Sequence, residues 1–359
     1  MRLTSLDVLR GLTVAGMILV NSAAGMKWGA EAEVFPLLLH ANWAGLTLAD
    51  LVFPGFLTMV GVAIPFSMRS GAAPGDKAGP VLWRTARLFL LGFVLSNLYW
   101  FSDFASGDWR LFGVLQRIGL VYGACALLFL TTSSRTRLVL IVAVLALYWP
   151  LSLAPALDGL PNDIWVRGHN FVASLDRVLL GVHLYVQGPE GYDPEGILGT
   201  LPAIAHGLIG VAVGEMLLRA ERRNVTHLLV IGGVMIVTGL AWSWVFPIVK
   251  DIWSSPFVLV TAGITIVALA GLHAWLDRER RPAWPAAVFG AFGVNAIAAY
   301  TLHQVTSEMV TWDLFLVPFA ATRTVIGDQM ASLLPILLYM AFLWVCVDWL
   351  RRQSWFVKI

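Results

Sequence analysis

The sequence predicts an all-α fold, a polytopic integral membrane helical bundle of about ten transmembrane helices with both termini cytoplasmic. Hydrophobic residues make up 58% of the chain and charged residues 13%, with a mean hydropathy of +0.77. A soluble domain carries about a quarter charged residues. Apolar segments of about 20 residues, the length that crosses a bilayer as a helix, recur along nearly all 359 residues. They leave no room for a separate soluble domain, so residues 1–359 are expected to form a single transmembrane domain. The basic residues cluster in alternate connecting segments, which sets the orientation.

In chain order, the expected helices run approximately over 5–25, 47–68, 81–100, 112–131, 137–154, 197–218, 227–246, 256–275, 286–304 and 331–350. The first follows Arg2 and ends near Ser22-Ala23-Ala24-Gly25, which resembles a signal peptide with its cleavage site. Asp7, Arg10 and Asn21 within it, and the spans that follow at once, mark it instead as a retained first helix. Of the 24 Lys and Arg residues, all but Lys27, Arg110, Arg117, Arg167, Arg177, Lys250 and Arg323 fall on one side of this arrangement. That side includes Arg2, Arg69, Lys77, Arg135, Arg222, Arg223, Arg280, Arg281, Arg351 and Lys358, and it is assigned to the cytoplasm. An extracytoplasmic loop region is expected at about 155–196. Its middle, NFVASLDRVLLGVHLY, has the pattern of an amphipathic surface helix, and its end, GPEGYDPEGILG, has turn chemistry.

Ionisable residues inside or beside membrane spans are costly and mark candidate sites. His40 and Asp50 stand at the start of the second span in LLLHANWAGLTLADLVFPGF. A fold-back over ten residues would let Asp50 orient the imidazole and raise its basicity, although Asp50 also suits a helix cap. Trp43 suits an interface anchor or a substrate platform. Asp7, Arg10 and Asn21 share one face of the first helix at 100° per residue, with Asp7 and Arg10 spaced for an ion pair. Gln116 and Arg117 sit inside the apolar run LFGVLQRIGLVY, where the arginine needs a partner or an aqueous cavity. Asn295 and His303 lie about 80° apart on the ninth helix by projection, close enough to line one wall. His183, Asp193 and Glu195 belong to the outer loop.

Several classes are excluded. The net charge of +2 with dispersed cations does not suit nucleic acid, and Cys125 and Cys346 both lie in apolar segments, which supports neither disulfides nor a metal cluster. No HExxH, phosphate-binding glycine loop or GxSxG elbow occurs, so no metal is expected. Asn224-Val225-Thr226 fits a glycosylation acceptor but falls on the cytoplasmic side.

Six motifs in order carry a resemblance: SLDVLRGLTVAGMILVN at 5–21, HANWAGLTLADLVFPGF at 40–56, GVLQRIGLVY at 113–122, LDRVLLGVHLY at 175–185, DPEGILGTLPAI at 193–204 and GVNAIAAYTLH at 293–303. With them the chain resembles, over nearly its full length, the heparan-α-glucosaminide N-acetyltransferase family of transmembrane acyltransferases, in its bacterial branch. The resemblance implies an enzyme of the bacterial cytoplasmic (inner) membrane that moves an acetyl group from cytoplasmic acetyl-CoA to an amino sugar on the far side. It implies His40 as the catalytic residue, acting as general base or acetyl acceptor, with Asn21 near the reacting centre, and Asp50 joins them as the partner that the ten-residue spacing offers. It leaves Trp43, Asn295, His303, His183, Asp193 and Glu195 as candidates for binding the acceptor. Arg10, Arg84, Arg87, Gln116 and Arg117 are candidates for holding coenzyme A. Membrane lipid is a further expected partner, and a homodimer is expected only by the resemblance. Two other readings fit the same polar stripes: a transporter of amino sugars, and an O-acetyltransferase of an envelope polysaccharide.

Overall fold

A computed structural model describes residues 3–68, 74–98, 109–219, 224–278, 284–309 and 312–357. Arg2, Arg69, Arg222, Arg223, Arg280, Arg281 and Lys358, used above for orientation, lie outside the described residues. The protein is a polytopic helical membrane protein. Its helices are α1 (Thr4–Trp28), α2 (Leu48–Ser67), α3 (Pro74–Ser96), α4 (Val114–Thr131), α5 (Ser134–Ser152), α6 (Phe171–Leu180), α7 (Thr200–Leu218), α8 (Asn224–Trp242), α9 (Ser255–Leu272), α10 (Trp284–Val294), α11 (Ala296–Met309), α12 (Asp313–Ile326) and α13 (Asp328–Arg352). Among the described residues, nine helices are long and apolar enough to span, or ten if the bent pair α10 and α11 is counted as one span. Helices satisfy their backbone groups internally, which a bilayer demands.

The chain divides into two compact units. A mid-chain unit holds α3–α9, the greater part of α2 from Pro54 onward, and the short segment Asn42–Gly45. Its tightest helix contact is made by glycine. A Cβ on Gly61 would lie 2.0 Å from the Gly207 carbonyl oxygen, and one on Gly210 2.2 Å from that of Thr58. Only hydrogen fits there, so α2 and α7 pack backbone to backbone. The loop before α7 carries α6, where Asn170 caps the first turn by accepting from the Ala173 N–H at 2.9 Å. Gly181 ends it at φ 58°, a left-handed conformation that glycine adopts without strain.

A flanking unit holds α1, the first residues of α2 through Phe53, and α10–α13. Leu3 gives α1 no side-chain cap. A remote carboxylate takes that role, with Asp277 in the π-helical turn after α9 accepting from the Thr4 N–H at 2.9 Å and from the Ser5 hydroxyl. Close packing again needs glycine: a Cβ on Gly293 would sit 1.9 Å from the Asp7 carbonyl oxygen.

Two sequence expectations need correction. The ninth helix, expected as one segment over 286–304, is broken between α10 and α11 with a bend of 77°. The break falls at Asn295, whose side chain competes for backbone hydrogen bonds and here accepts from the Val357 N–H at 3.2 Å. Asn295 and His303 therefore do not share a helix face. The stretch after His303, read as an outer loop, holds α12, whose 14 residues reach about 21 Å, short of the roughly 30 Å hydrocarbon core.

Candidate active site

In the flanking unit the chain leaves α1 and reaches a 3-10 turn at Pro36–Leu38, opened by proline at its first position. Leu38 is buried in a cluster with Met26, Val34 and Ile336, which seats the turn and leaves His40 two residues on. His40 Nδ1 lies 2.7 Å from Asp50 Oδ1. The other carboxylate oxygen, Oδ2, accepts from the Ala41 N–H at 3.1 Å and the Thr47 N–H at 3.0 Å, with the Thr47 hydroxyl also at 3.0 Å. Thr47 immediately precedes α2 and Asp50 is its third residue, so the carboxylate reaches back to the Thr47 N–H as in one half of a capping box, while the Asp50 N–H meets the Thr47 carbonyl at 3.2 Å.

This arrangement decides the tautomer of His40. With Asp50 acting as an acceptor, Nδ1 must carry the proton it donates, so in the neutral ring Nε2 keeps the lone pair. The side-chain exposures fit this division: Asp50 is 1% exposed and His40 46%. Thr47 escaped the sequence reading, although the Thr-x-x-Asp spacing at the start of α2 could have found it.

A second polar chain runs through the same unit. Asn21 Nδ2 donates to His303 Nε2 at 3.2 Å, so His303 Nδ1 carries the proton and donates to the Tyr339 hydroxyl at 3.2 Å. Tyr339 in turn lies 2.6 Å from the Thr306 hydroxyl. Tyr339 and Thr306 also escaped the sequence reading. Neither stands out in a sequence, since a tyrosine in an apolar helix is ordinarily packing. A cavity of about 590 Å³ opens beside Asn21 and His303. Arg10 lies 3.7 Å from Asp7 on α1, and Asn295 is fully buried at the helix break.

The mid-chain unit holds the other candidates. Trp43 is buried among Tyr148, Phe246 and Ile252, and its indole donates to the Ile164 carbonyl at 3.0 Å. It is a core residue there rather than an exposed platform. Arg110 grips Asp193 through two bonds, Nε to Oδ2 at 3.1 Å and Nη2 to Oδ1 at 2.7 Å, and also binds Glu195. Its guanidinium faces the Tyr185 ring at 4.4 Å. Burial opposes the charge on Arg110, but Glu195 and Asp193 outweigh it and raise its pKa. His183 binds the Trp109 carbonyl at 2.9 Å and stacks on that indole at 3.6 Å. Asp193, Glu195 and His183 thus tie the loop region before α7 to the segment before α4.

Gln116 and Arg117 are both fully buried. Gln116 donates to the Leu111 carbonyl at 3.2 Å, and Arg117 donates to that of Gly196 at 3.0 Å beneath the Trp253 ring. Neither presents solvent-exposed surface. Arg84 faces the Tyr122 ring at 4.6 Å and Arg87 the Trp83 ring at 5.7 Å.

Comparison with known proteins agrees with the motifs. A family model described as "Heparan-alpha-glucosaminide N-acetyltransferase, catalytic" matches residues 2–243. The human heparan-alpha-glucosaminide N-acetyltransferase is 29% identical over 361 residues, covering 85% of this chain and 53% of its own length. The mouse protein of the same name is 27% identical over 360 residues, with the same coverage. This chain spans about half the length of the curated relatives it matches. The family match takes in α1–α8 together with the Thr47–Asp50 pair and His40, and on that evidence the chain belongs to the heparan-alpha-glucosaminide N-acetyltransferase family.

Proposed function

We propose that the chain is a transmembrane N-acetyltransferase that moves an acetyl group from cytoplasmic acetyl-CoA to the amine of glucosamine or a glucosaminide on the extracytoplasmic side. The carrying observation is the His40–Asp50 pair, held at 2.7 Å with Nε2 free and the ring half exposed. As a general base, Nε2 takes a proton from the acceptor amine as its nitrogen attacks the thioester carbon. The C–N bond forms, the C–S bond breaks, and the departing thiolate recovers the proton from the imidazolium. As a nucleophile, Nε2 attacks the thioester carbon and the C–S bond breaks to release the thiolate; the amine then attacks the acetyl-imidazole, its C–N bond forms as the bond to the ring breaks, and its proton passes to the thiolate. Both routes need the same nitrogen and the same buried carboxylate to steady the positive charge on the ring.

The sidedness rests on charge. Coenzyme A carries several phosphate charges and cannot cross a bilayer, so the donor must be met on the basic side, with Arg10, Arg84 and Arg87 as the exposed or half-exposed candidates to bind it. The proposal places the protein in the bacterial inner membrane as one transmembrane acyltransferase domain, in a homodimer by analogy alone, with 155–196 on the outside. Rapid mixing of purified protein with labelled acetyl-CoA and no acceptor tests the chemistry. Label on His40 that a later pulse of glucosamine removes would establish the two-step route, and transfer without any such label would leave the base. Full acetyl transfer by folded His40→Ala protein would sink either role.

A further inference from the structure

We propose that the cavity between the C-terminal half of α1, α11 and the start of α12 is the acceptor pocket, and that Asp313 is the group by which it selects a free amine over an acetylated one. This rests on the acetyltransferase reading above and adds the site and basis of acceptor choice.

The cavity measures about 590 Å³, within the range of pockets that hold small ligands. Its described lining combines what a sugar needs: an aromatic face in Trp312, and hydrogen-bonding side chains in Asn21, Gln304 and Ser307. The Trp312 ring is held by packing 4.7 Å from Tyr339. Tyr339 is itself anchored to His303 and Thr306, so the aromatic wall and the Asn21–His303 edge belong to one connected network. Asn21 spends its amide N–H on His303 and keeps its carbonyl oxygen for a hydroxyl.

The cavity also abuts the reacting histidine's own support. Met26, Ala30 and Leu316 line it, and the same three residues pack in the cluster that seats Leu38 and Leu39, directly before His40.

Asp313 is the acid among the described lining residues, and it is exposed at the first position of α12. A carboxylate beside a sugar-sized space attracts the ammonium of an amino sugar through a charge-assisted bond. The bound ammonium releases one proton to solvent before the amine attacks, and acetylation then leaves a neutral amide, so the product loses the attraction that held the substrate. Asp313 in this role binds and does not react.

The test uses the full-length protein in lipid nanodiscs, with wild type, Asp313→Asn, Asp313→Glu and Trp312→Ala. Two readouts are taken: binding of glucosamine and of N-acetylglucosamine without acetyl-CoA, and the KM and kcat of acetyl transfer. Asp313→Asn should weaken glucosamine binding and raise its KM by about tenfold, leave kcat unchanged, and leave N-acetylglucosamine binding as it was. Asp313→Glu should restore most of the preference, and Trp312→Ala should weaken both sugars alike. An Asp313→Asn protein that transfers with unchanged KM, or that loses both sugars equally, would overturn the selection role. Binding that follows this pattern in a protein that transfers nothing would keep the pocket and overturn the acetyltransferase reading. A wild type that neither binds nor acetylates glucosamine would overturn both.

Discussion

Asp50 in the flanking unit and Asp193 with Glu195 in the mid-chain unit are all buried carboxylates, yet their settings differ in kind. Asp193 and Glu195 spend themselves on Arg110, a cation almost as enclosed as they are, and both carboxylates are paired to it within the protein. Asp50 is just as enclosed but directs one oxygen at an imidazole that is half exposed and keeps a free nitrogen. The first arrangement stores charge in order to hold a loop. The second presents a polarised, unsatisfied atom to whatever arrives. In a membrane protein a buried charge does not by itself mark a reactive site; an uncommitted atom at the end of its hydrogen bonds does.

That contrast can be broken most sharply at His40. His40→Ala should lower acetyl transfer by about 10³-fold or more, the upper range for a general base or nucleophile, while the purified protein elutes and melts as the wild type does. Arg110→Leu should do the opposite. It leaves two buried carboxylates without their cation and should cost about 3–5 kcal/mol, seen as a lowered melting temperature in detergent and poor yield, with near-normal kcat in any protein that survives.

Asp50→Asn probes the hinge between the two cases. The N–H groups of Ala41 and Thr47 converge on Oδ2, so the amide oxygen must turn toward them and its NH2 toward His40. Nδ1 then becomes an acceptor, Nε2 carries the proton, and the free lone pair is lost. A fall in kcat of about 10²-fold with little change in stability is expected, and full activity would disconnect Asp50 from the chemistry.

Asp176 gives a smaller, pH-dependent effect. Burial raises its pKa to about 7, against the lowering influence of the Ile197 N–H bond. Because the folded value lies above the unfolded one, the folded protein holds the extra proton, and this contribution to stability is complete below about pH 4 and lost as pH rises toward 7. Asp176→Asn keeps the bond to Ile197 and should flatten the decline in melting temperature between pH 4 and 7. An unchanged slope would show that Asp176 stays ionised. The smallest effect belongs to the half-exposed pair Arg323–Asp328, at 2.8 Å. Arg323→Gln should change stability by no more than about 1 kcal/mol, and a larger loss would mean that exposure does not separate structural from incidental charge here.

Much of the site nearest His40 was legible in the sequence because its contacts are short in chain terms. His40 and Asp50 are ten residues apart, and Thr47-x-x-Asp50 is a local capping signal. The same locality explains why most spans were placed to within a few residues. It fails at α12, where Pro318 and Arg323 interrupt an apolar pattern that nonetheless forms a helix packed on α13.

By itself, the sequence determined the class of fold and the position of most candidate spans, since a bilayer accepts only long apolar helices and composition records their length. It also carried the fold-back of Asp50 to His40, which needs only local backbone. Tertiary structure decided the rest. Arg110 reaches Asp193 and Glu195 across 83 and 85 residues, and Asn21 reaches His303 across 282. Helical periodicity says which face a residue occupies but not which helix will lie opposite it. The break at Asn295 and the burial of Gln116 and Arg117 follow from the same cause. Each depends on a neighbour chosen by packing, and packing partners distant in the chain leave no local trace.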